Sequence, residues 1–393
     1  MFKGQYVFSQ ITDHLPLHTF RRCVERYHGE RYVKQFRCFD QYLAMSFAQL
    51  THRESLRDIE ACLKAQSSKL YHMGLRSSIS RSTLADANEQ RDWRIYADFA
   101  QALIKIARPL YAGDELGLDL KNTVYALDAS TIDLCFSVFP WALFRSTKSA
   151  VKLHTLLDLR GNIPSFIHIS EGKLHDVNAL DMIIPEAGSF YVMDRAYLDF
   201  ERLFSLNNSG AFFVIRSKNN ILFKRRYSSP VEKTNGIRCD QTIRLTGLNT
   251  KNKYPKPLRR VKYHDNETNK TLNLLTNNEI IPAQTVADLY RYRWKVELFF
   301  KWIKQHLHIR TFFGTSENAL KSQIWIAISV YVLIAIIKKQ LKIKAELYTI
   351  LQVLSLTLFE KIPLEQLLGN NHYMEHTREN AIQLNLFDNL TGH

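Results

Sequence analysis

The spacing of hydrophobic residues changes twice along this chain. In the first 115 or so residues, apolar side chains recur at helical spacing, as in FDQYLAMSFAQL and YADFAQALIKIARPLY. From Thr123 onwards, short apolar runs alternate with Gly, Asn and Pro turn signals, which predicts the strands of a mixed sheet. The predicted strands are TVYALDAS, VKLHTLLDL, PSFIHIS, SFYVMDRAY and AFFVIRSK, and a helical stretch is predicted near DVNALDMIIPEA.

The later segments complete an α/β organisation. Residues 219–280 show alternating patterns that predict a β-rich insertion, and Pro282 marks the approach to a long helix. The chain is helical again after about Thr315 and ends in a polar tail. We therefore predict a helical N-terminal region (1–115), an α/β core (116–218 and 281–345), a basic insertion (219–280) and a helical C-terminal region with its tail (346–393). The arginine-bearing segment RSSISRSTLADANEQRDWRIY in the N-terminal region could bind DNA or could form an ordinary charged surface helix.

The long helix carries a narrow polar stripe. Tyr290, Arg293, Glu297 and Lys304 stand three, four and seven residues apart, so at about 100° per residue they fall within an arc of roughly 60°. The simplest interpretation is a helical salt-bridge ladder, worth a few tenths of a kcal/mol per pair. The alternative is a functional carboxylate framed by one hydroxyl and two cations.

The charge is unevenly distributed. The chain has 53 Lys and Arg residues against 38 Asp and Glu, a formal net charge of +15. In residues 216–310 the basic residues outnumber the acidic ones by 21 to 7, whereas residues 111–215 have 8 basic and 13 acidic residues. An acidic core beside a basic surface suits an enzyme that binds cations at its centre and phosphates around it. A basic surface kept for solubility is the alternative.

Several features predict a cytoplasmic protein. The apolar run at residues 324–337 has 14 residues where a bilayer needs about 20, which favours a buried core helix. The N-terminus lacks the apolar run of a signal peptide. The five cysteines are far apart and include no Cys-x-x-Cys pair, which indicates a reducing compartment and argues against a zinc site.

Two predicted strands end in an aspartate, Asp128 in VYALDAS and Asp194 in FYVMDRAY. A carboxylate at the edge of a buried strand is costly unless it is paired or binds a cation, although either aspartate could be purely structural. Together with Glu297 they would provide three hard oxygen donors, which favour Mg²⁺ or Mn²⁺. Two such ions about 4 Å apart would support phosphoryl transfer on nucleic acid.

Two nearby acids are weaker candidates. His175 and Asp176 could support the site, or could simply form a turn. Asp133 would lie about 17 Å from Asp128 along an extended strand, so we do not count it among the metal ligands.

These motifs resemble the DDE transposases of bacterial insertion sequences, in the subgroup with a Tyr-x-x-Arg-x-x-x-Glu-x-x-x-x-x-x-Lys signature. The four stripe residues match this signature, and Asp128-Ala129-Ser130-Thr131 and Asp194-Arg195-Ala196-Tyr197 match the two aspartate motifs. The likeness runs from about Arg53 to about Lys304. Ala196 stands where the family usually has Gly, and Leu272 where some members have a base-stacking Trp.

The resemblance implies an RNase H-like core whose sheet carries Asp128 and Asp194, with Glu297 on a helix behind a β insertion. It implies Mg²⁺-dependent cleavage at the terminal inverted repeats and strand transfer into target DNA. The residues matching Tyr290, Arg293 and Lys304 would hold phosphates of double-stranded DNA. A homodimer is expected in the DNA complex, with neither a membrane nor a small-molecule partner.

Two other functions remain open at this point. The chain could be a DNA-binding regulator or an inactive relic of a transposase, although its intact acids argue against that. It could also be a host nuclease with the same core, which would cut DNA ends without joining them.

Overall fold

Helices surround a central sheet in the computed structural model, which describes residues 4–76, 78–145, 148–218, 220–306 and 312–369. The helices are α1 (Val7–Thr12), α2 (Leu17–Arg26), α3 (Cys38–Leu50), α4 (Leu56–Ala65), α5 (Arg81–Gln90), α6 (Arg94–Tyr111), α7 (Phe200–Asn208), α8 (Thr250–Lys253), α9 (Ala283–Tyr292), α10 (Trp294–His306), α11 (Glu317–Gln340), α12 (Leu347–Thr357) and α13 (Leu364–Gly369). The predicted C-terminal tail, RENAIQLNLFDNLTGH, lies outside the described residues.

The strands form one mixed sheet. They are β1 (Val124–Leu134), β2 (Leu143–Arg145), β3 (Lys148–Asp158), β4 (Ile163–Glu171), β5 (Phe190–Met193), β6 (Phe212–Arg216), β7 (Phe223–Ser229), β8 (Ile237–Leu245), β9 (Leu258–Asp265) and β10 (Lys270–Thr276). β3 runs antiparallel to β1 and pairs with β4, while β5 runs parallel to β1 and β6 parallel to β5. The order β4-β3-β1-β5-β6, with these directions, is that of an RNase H-like core, which confirms the predicted fold class.

The strands of residues 219–280 continue this sheet. β10 pairs antiparallel with β6, and β9, β8 and β7 follow it outwards in turn. Hydrogen bonds therefore connect the outermost strand, through its neighbours, to the centre of the core.

The helix predicted near DVNALDMIIPEA is shorter than expected. Only Asp176–Met182 is helical, in a 3₁₀ turn, and Ile183 is already extended. Pro185 explains the difference, because a residue that precedes proline disfavours the helical conformation and Ile184 occupies that position.

The predicted long helix of the polar stripe is interrupted at Arg293, between α9 and α10. The backbone N–H of Arg293 donates to the carbonyl of Tyr290, and that of Val296 donates to the carbonyl of Arg293. These bonds span three residues instead of four, which tightens the turn. The prediction of one continuous helix was wrong at this residue.

The apolar run at residues 324–337 lies in the middle of α11, which is buried against α6 and α3. By length and composition alone α11 could cross a membrane, but 94% of its most apolar 18-residue window is buried inside the protein. That burial is typical of a core helix, as the short apolar run predicted.

Candidate active site

The sheet brings Asp128 and Asp194 together. β1 and β5 are parallel neighbours whose register pairs Leu127 with Met193. The next residue in each segment is the aspartate, so both carboxylates lie at the edge of the sheet where β5 ends. β1 itself continues past Asp128 to Leu134, so the prediction that the strand ends in an aspartate was wrong for β1. Apolar residues hold both strands in the core, since Val124 and Met193 are fully buried.

Glu297 reaches this edge from the first turn of α10, a helix that packs against β1. Arg293 links it to the first aspartate. The Arg293 Nη1 donates to Asp128 Oδ2 at 2.7 Å, and Nη2 donates to Glu297 Oε1 at 2.5 Å. The side chain of Arg293 is only 15% exposed, so this bridge is largely screened from water.

The other two stripe residues are placed differently. Tyr290 is buried, and its hydroxyl donates to Asp194 Oδ1 at 3.0 Å. Burial and the Asp194 carboxylate raise the pKa of Tyr290 to about 12, so the hydroxyl keeps its proton. Lys304 is exposed, and partial desolvation lowers its pKa while the charge of Asp133 acts in the opposite direction.

The structure therefore divides the predicted site residues into two groups. Tyr290 and Arg293 contact the acids directly, where the sequence predicted that they would face DNA phosphates. Lys304 lies further along α10, within electrostatic range of Asp133, with no hydrogen bond to the three acids among the described residues.

Burial dominates the electrostatics of the first acid. Desolvation raises the pKa of Asp128 to about 6, against the opposing effects of Arg293 and of the Ala129 backbone N–H. That N–H donates to Asp128 Oδ1 at 2.8 Å. The charges of Glu297 and Asp194 raise the pKa further, which shows that the three carboxylates interact.

We expect Asp128→Asn to stabilise the protein at neutral pH. A carboxyl whose folded-state pKa, about 6, exceeds its ordinary value of 3.8 costs the folded state stability as pH rises through that interval. Asn resembles the protonated form, so the variant should gain up to about 3 kcal/mol of unfolding free energy at pH 7.5 and almost nothing at pH 4.

Urea unfolding at both pH values measures this gain. Asp119→Asn, at an exposed position, is the matched control and should change stability at neither pH. A gain for Asp128→Asn that is equal at pH 4 and pH 7.5 would contradict the explanation.

The carboxylates of Asp128, Asp194 and Glu297 are chemically suitable ligands for a hard divalent cation. Their arrangement does not yet provide a coordination shell: among the described residues, no three His, Cys, Asp or Glu side chains are grouped so that they could hold a metal ion. Arg293 accounts for this, because its guanidinium lies between Asp128 and Glu297 and binds one oxygen of each.

Tyr197 is a site residue to which the sequence assigned no role, although it closes the second aspartate motif. It is fully buried, and its hydroxyl has no hydrogen-bond partner in the part of the chain described here. Burial raises its pKa, and the charges of Asp128 and Asp176 add to the effect. Asp176 accepts from Lys152 Nζ at 2.9 Å, so it belongs to an ion pair as well as to a turn.

Leu272 lies in β10 opposite Tyr263 and packs, partly buried, against the core. At this position the chain therefore offers an aliphatic side chain and no aromatic ring.

The outer strand β7 presents a basic surface. Lys224, Arg225 and Arg226 are exposed, as is the neighbouring Tyr227, 62% of whose surface is accessible. A charged edge strand also resists pairing with the edges of other sheets, so this surface has a structural explanation as well as a possible role in binding polyanions.

The sheet order defines an RNase H-like protein, and a comparison of the chain with known protein families identifies its family. Residues 119–333 match the transposase DDE domain, and residues 3–76 match a domain of unknown function (DUF4372). The chain belongs to the DDE transposases, as predicted.

Its relatives are bacterial proteins. A putative transposase of Sinorhizobium fredii is 31% identical over 71% of this chain and 77% of its own length. A probable transposase for an insertion sequence element of Geobacillus stearothermophilus is 32% identical over 55% of this chain and 57% of its own. These relatives confirm the predicted function of an insertion-sequence transposase, an enzyme that acts on DNA.

Among solved structures, a piggyBac transposase synaptic complex with hairpin DNA aligns over 96% of this chain and 83% of that chain. The TM-score is 0.44 and the sequence identity 12%.

Proposed function

We propose that Asp128, Asp194 and Glu297 are the catalytic acids with which this transposase cleaves DNA at its element's ends and joins them to a target. The observation that carries the proposal is their convergence: two acids follow paired positions of parallel strands, and the third is joined to the first through Arg293. The Tyr-Arg-Glu-Lys subgroup is part of this proposal.

The same acids are the proposed metal ligands. DDE transposases generally use divalent metal ions, and three carboxylates favour Mg²⁺, with Mn²⁺ as a substitute. When bound, such ions activate the attacking water or 3′-hydroxyl and stabilise the departing oxygen. The protein's own contribution is to fix the carboxylates within β1, at the end of β5 and on α10.

The proposed role of Tyr290, Arg293 and Lys304 is to hold DNA phosphates near these acids. A guanidinium forms paired charge-assisted hydrogen bonds with phosphate oxygens, and an exposed ammonium binds phosphate as a point charge. The basic excess of residues 216–310 lies in the same part of the chain. The complete partner set would be the terminal inverted repeats, target DNA and a second protomer, at the bacterial nucleoid.

A strand-transfer assay tests the function. The full chain is incubated with a duplex that contains the inverted repeat flanking its own gene and with a target plasmid, in Mg²⁺ or in EDTA. Joined products that require Mg²⁺ support the proposal. Cleavage without joining would indicate a nuclease, and tight binding of the ends without cleavage would indicate a regulator or an inactive relic.

We expect Lys304→Gln to weaken DNA binding without changing the fold. Loss of one phosphate contact should make the slope of log affinity against log salt shallower by about one. Fluorescence anisotropy of a labelled duplex at several salt concentrations measures this slope. Lys105→Gln, at another exposed lysine, is the control and should leave it unchanged.

The salt slope separates two roles for Lys304. If its ammonium acts only on neighbouring groups of the protein, affinity can fall but the slope will stay that of the wild type. An unchanged slope would therefore contradict phosphate binding by Lys304.

A further inference from the structure

The guanidinium of Arg293 binds the oxygens that a metal ion would need. Asp128 Oδ2 accepts from Nη1, and Glu297 Oε1 accepts from Nη2. The remaining oxygen of Asp128 accepts from the Ala129 backbone N–H. A cation that ligates both acids therefore competes with Arg293 for these carboxylates, either for the same oxygens or through charge repulsion at the neighbouring lone pairs.

We propose that Arg293 competes with divalent cations for Asp128 and Glu297, and that its guanidinium is displaced when these acids bind a metal ion. This inference rests on the proposed function, because it takes these two acids to be metal ligands. It assigns to Arg293 a second role, in the protein without DNA, besides the proposed contact with a phosphate.

Two observations explain why the Arg293 guanidinium can be displaced from the acids. The Arg293 Nε is buried and has no hydrogen-bond partner among the described residues, so the guanidinium is incompletely satisfied where it lies. In addition, a single positive charge bridges two carboxylates, Asp128 and Glu297, and neutralises only part of their charge. A divalent cation on the acids, together with a phosphate on the guanidinium, would satisfy both sides better.

Direct binding of Mn²⁺ tests the competition without any reaction. Free Mn²⁺ is titrated into the full chain in the absence of DNA and quantified by its paramagnetic resonance signal. Arg293→Gln removes the charge and keeps a polar side chain, and we expect it to bind Mn²⁺ roughly ten-fold tighter than the wild type or better. Arg293→Lys keeps the charge and should stay closer to the wild type.

The matched control is Arg291→Gln. Arg291 is exposed and pairs with the exposed Glu267, away from the acids, so its loss should leave Mn²⁺ affinity unchanged. Thermal unfolding of each variant confirms that the folded chain is being compared. An Arg293→Gln variant that is folded but binds Mn²⁺ no tighter than the wild type overturns the inference.

A second substitution distinguishes this failure from failure of the proposed function. Asp128→Asn or Glu297→Gln, added to Arg293→Gln, should abolish the gained affinity. If Mn²⁺ still binds tightly after both acids are replaced, the metal site lies elsewhere, and the proposed function fails together with the inference. If the acids are required for Mn²⁺ binding but Arg293→Gln does not raise the affinity, only the proposed competition by Arg293 is disproved.

Discussion

Asp128→Asn, Asp194→Asn and Glu297→Gln should each lower the rate of DNA strand cleavage by at least about 10³-fold. Each substitution removes one negative oxygen donor and keeps the size of the side chain, so the sheet edge and α10 should stay in place. Single-turnover cleavage of a prebound duplex measures the loss in the chemical step, separately from DNA binding.

The three variants should also be non-additive. Because all three acids would serve one catalytic centre, a double variant should be scarcely slower than the worse single one. Asp119→Asn, exposed and outside the cluster, should cleave at the wild-type rate. Retention of cleavage within about ten-fold of the wild type by any one of the three would remove that acid from the proposed set.

The second large effect is expected at a buried ion pair in the extended sheet. Arg259 of β9 binds Asp240 of β8 through two hydrogen bonds of 2.8 and 2.7 Å, and both side chains are at most 11% exposed. Arg259 Nη1 also donates to the carbonyl of Ile281, immediately before α9. The pair therefore connects the outer strands to the start of the helix that carries Tyr290.

Removing one partner leaves the other charge buried and uncompensated. Arg259→Met alone should cost about 3–5 kcal/mol of unfolding free energy, whereas Arg259→Met with Asp240→Leu should recover much of that loss. Equilibrium unfolding in urea measures both. For comparison, Arg291→Met breaks the exposed pair with Glu267 and should cost less than about 1 kcal/mol.

A double variant no more stable than Arg259→Met would contradict the ion-pair explanation. The bond to the Ile281 carbonyl would then be the main contribution of Arg259. Cleavage activity should follow the same order as stability, since the position of α9 sets that of Tyr290.

The sequence predicted those features that local patterns determine. The short apolar runs before Asp128 and Asp194 predicted both strands, because a buried strand can be recognised within a few residues. The predicted end at Asp194 was right, whereas β1 continues past Asp128 to Leu134. The 14-residue apolar run likewise gave a core helix instead of a membrane span. The RNase H-like arrangement itself came from the family resemblance.

Contacts between distant segments could not be predicted in this way. Helical spacing places Tyr290 and Arg293 on one face, but only the sheet register shows that the facing groups are Asp194 and Asp128. The stripe was expected to divide between a metal-binding acid and phosphate-binding residues. In the structure, two of the phosphate-binding candidates are hydrogen-bonded to acids, so residues proposed for one task contact residues proposed for the other.

The pairing of β10 with β6 was also beyond the sequence pattern, because alternation shows which residues form a strand and not which strand lies beside it. This pairing determines how the chain could be recombined with its relatives. An exchange of residues 219–280 as a block would replace β10 and, with it, the register of Leu275 opposite Ile215 in the core. Chimaeras intended to change DNA preference should instead place both crossover points before β10, for instance exchanging only the β7–β8 hairpin, so that the foreign segment meets the host at β9 alone.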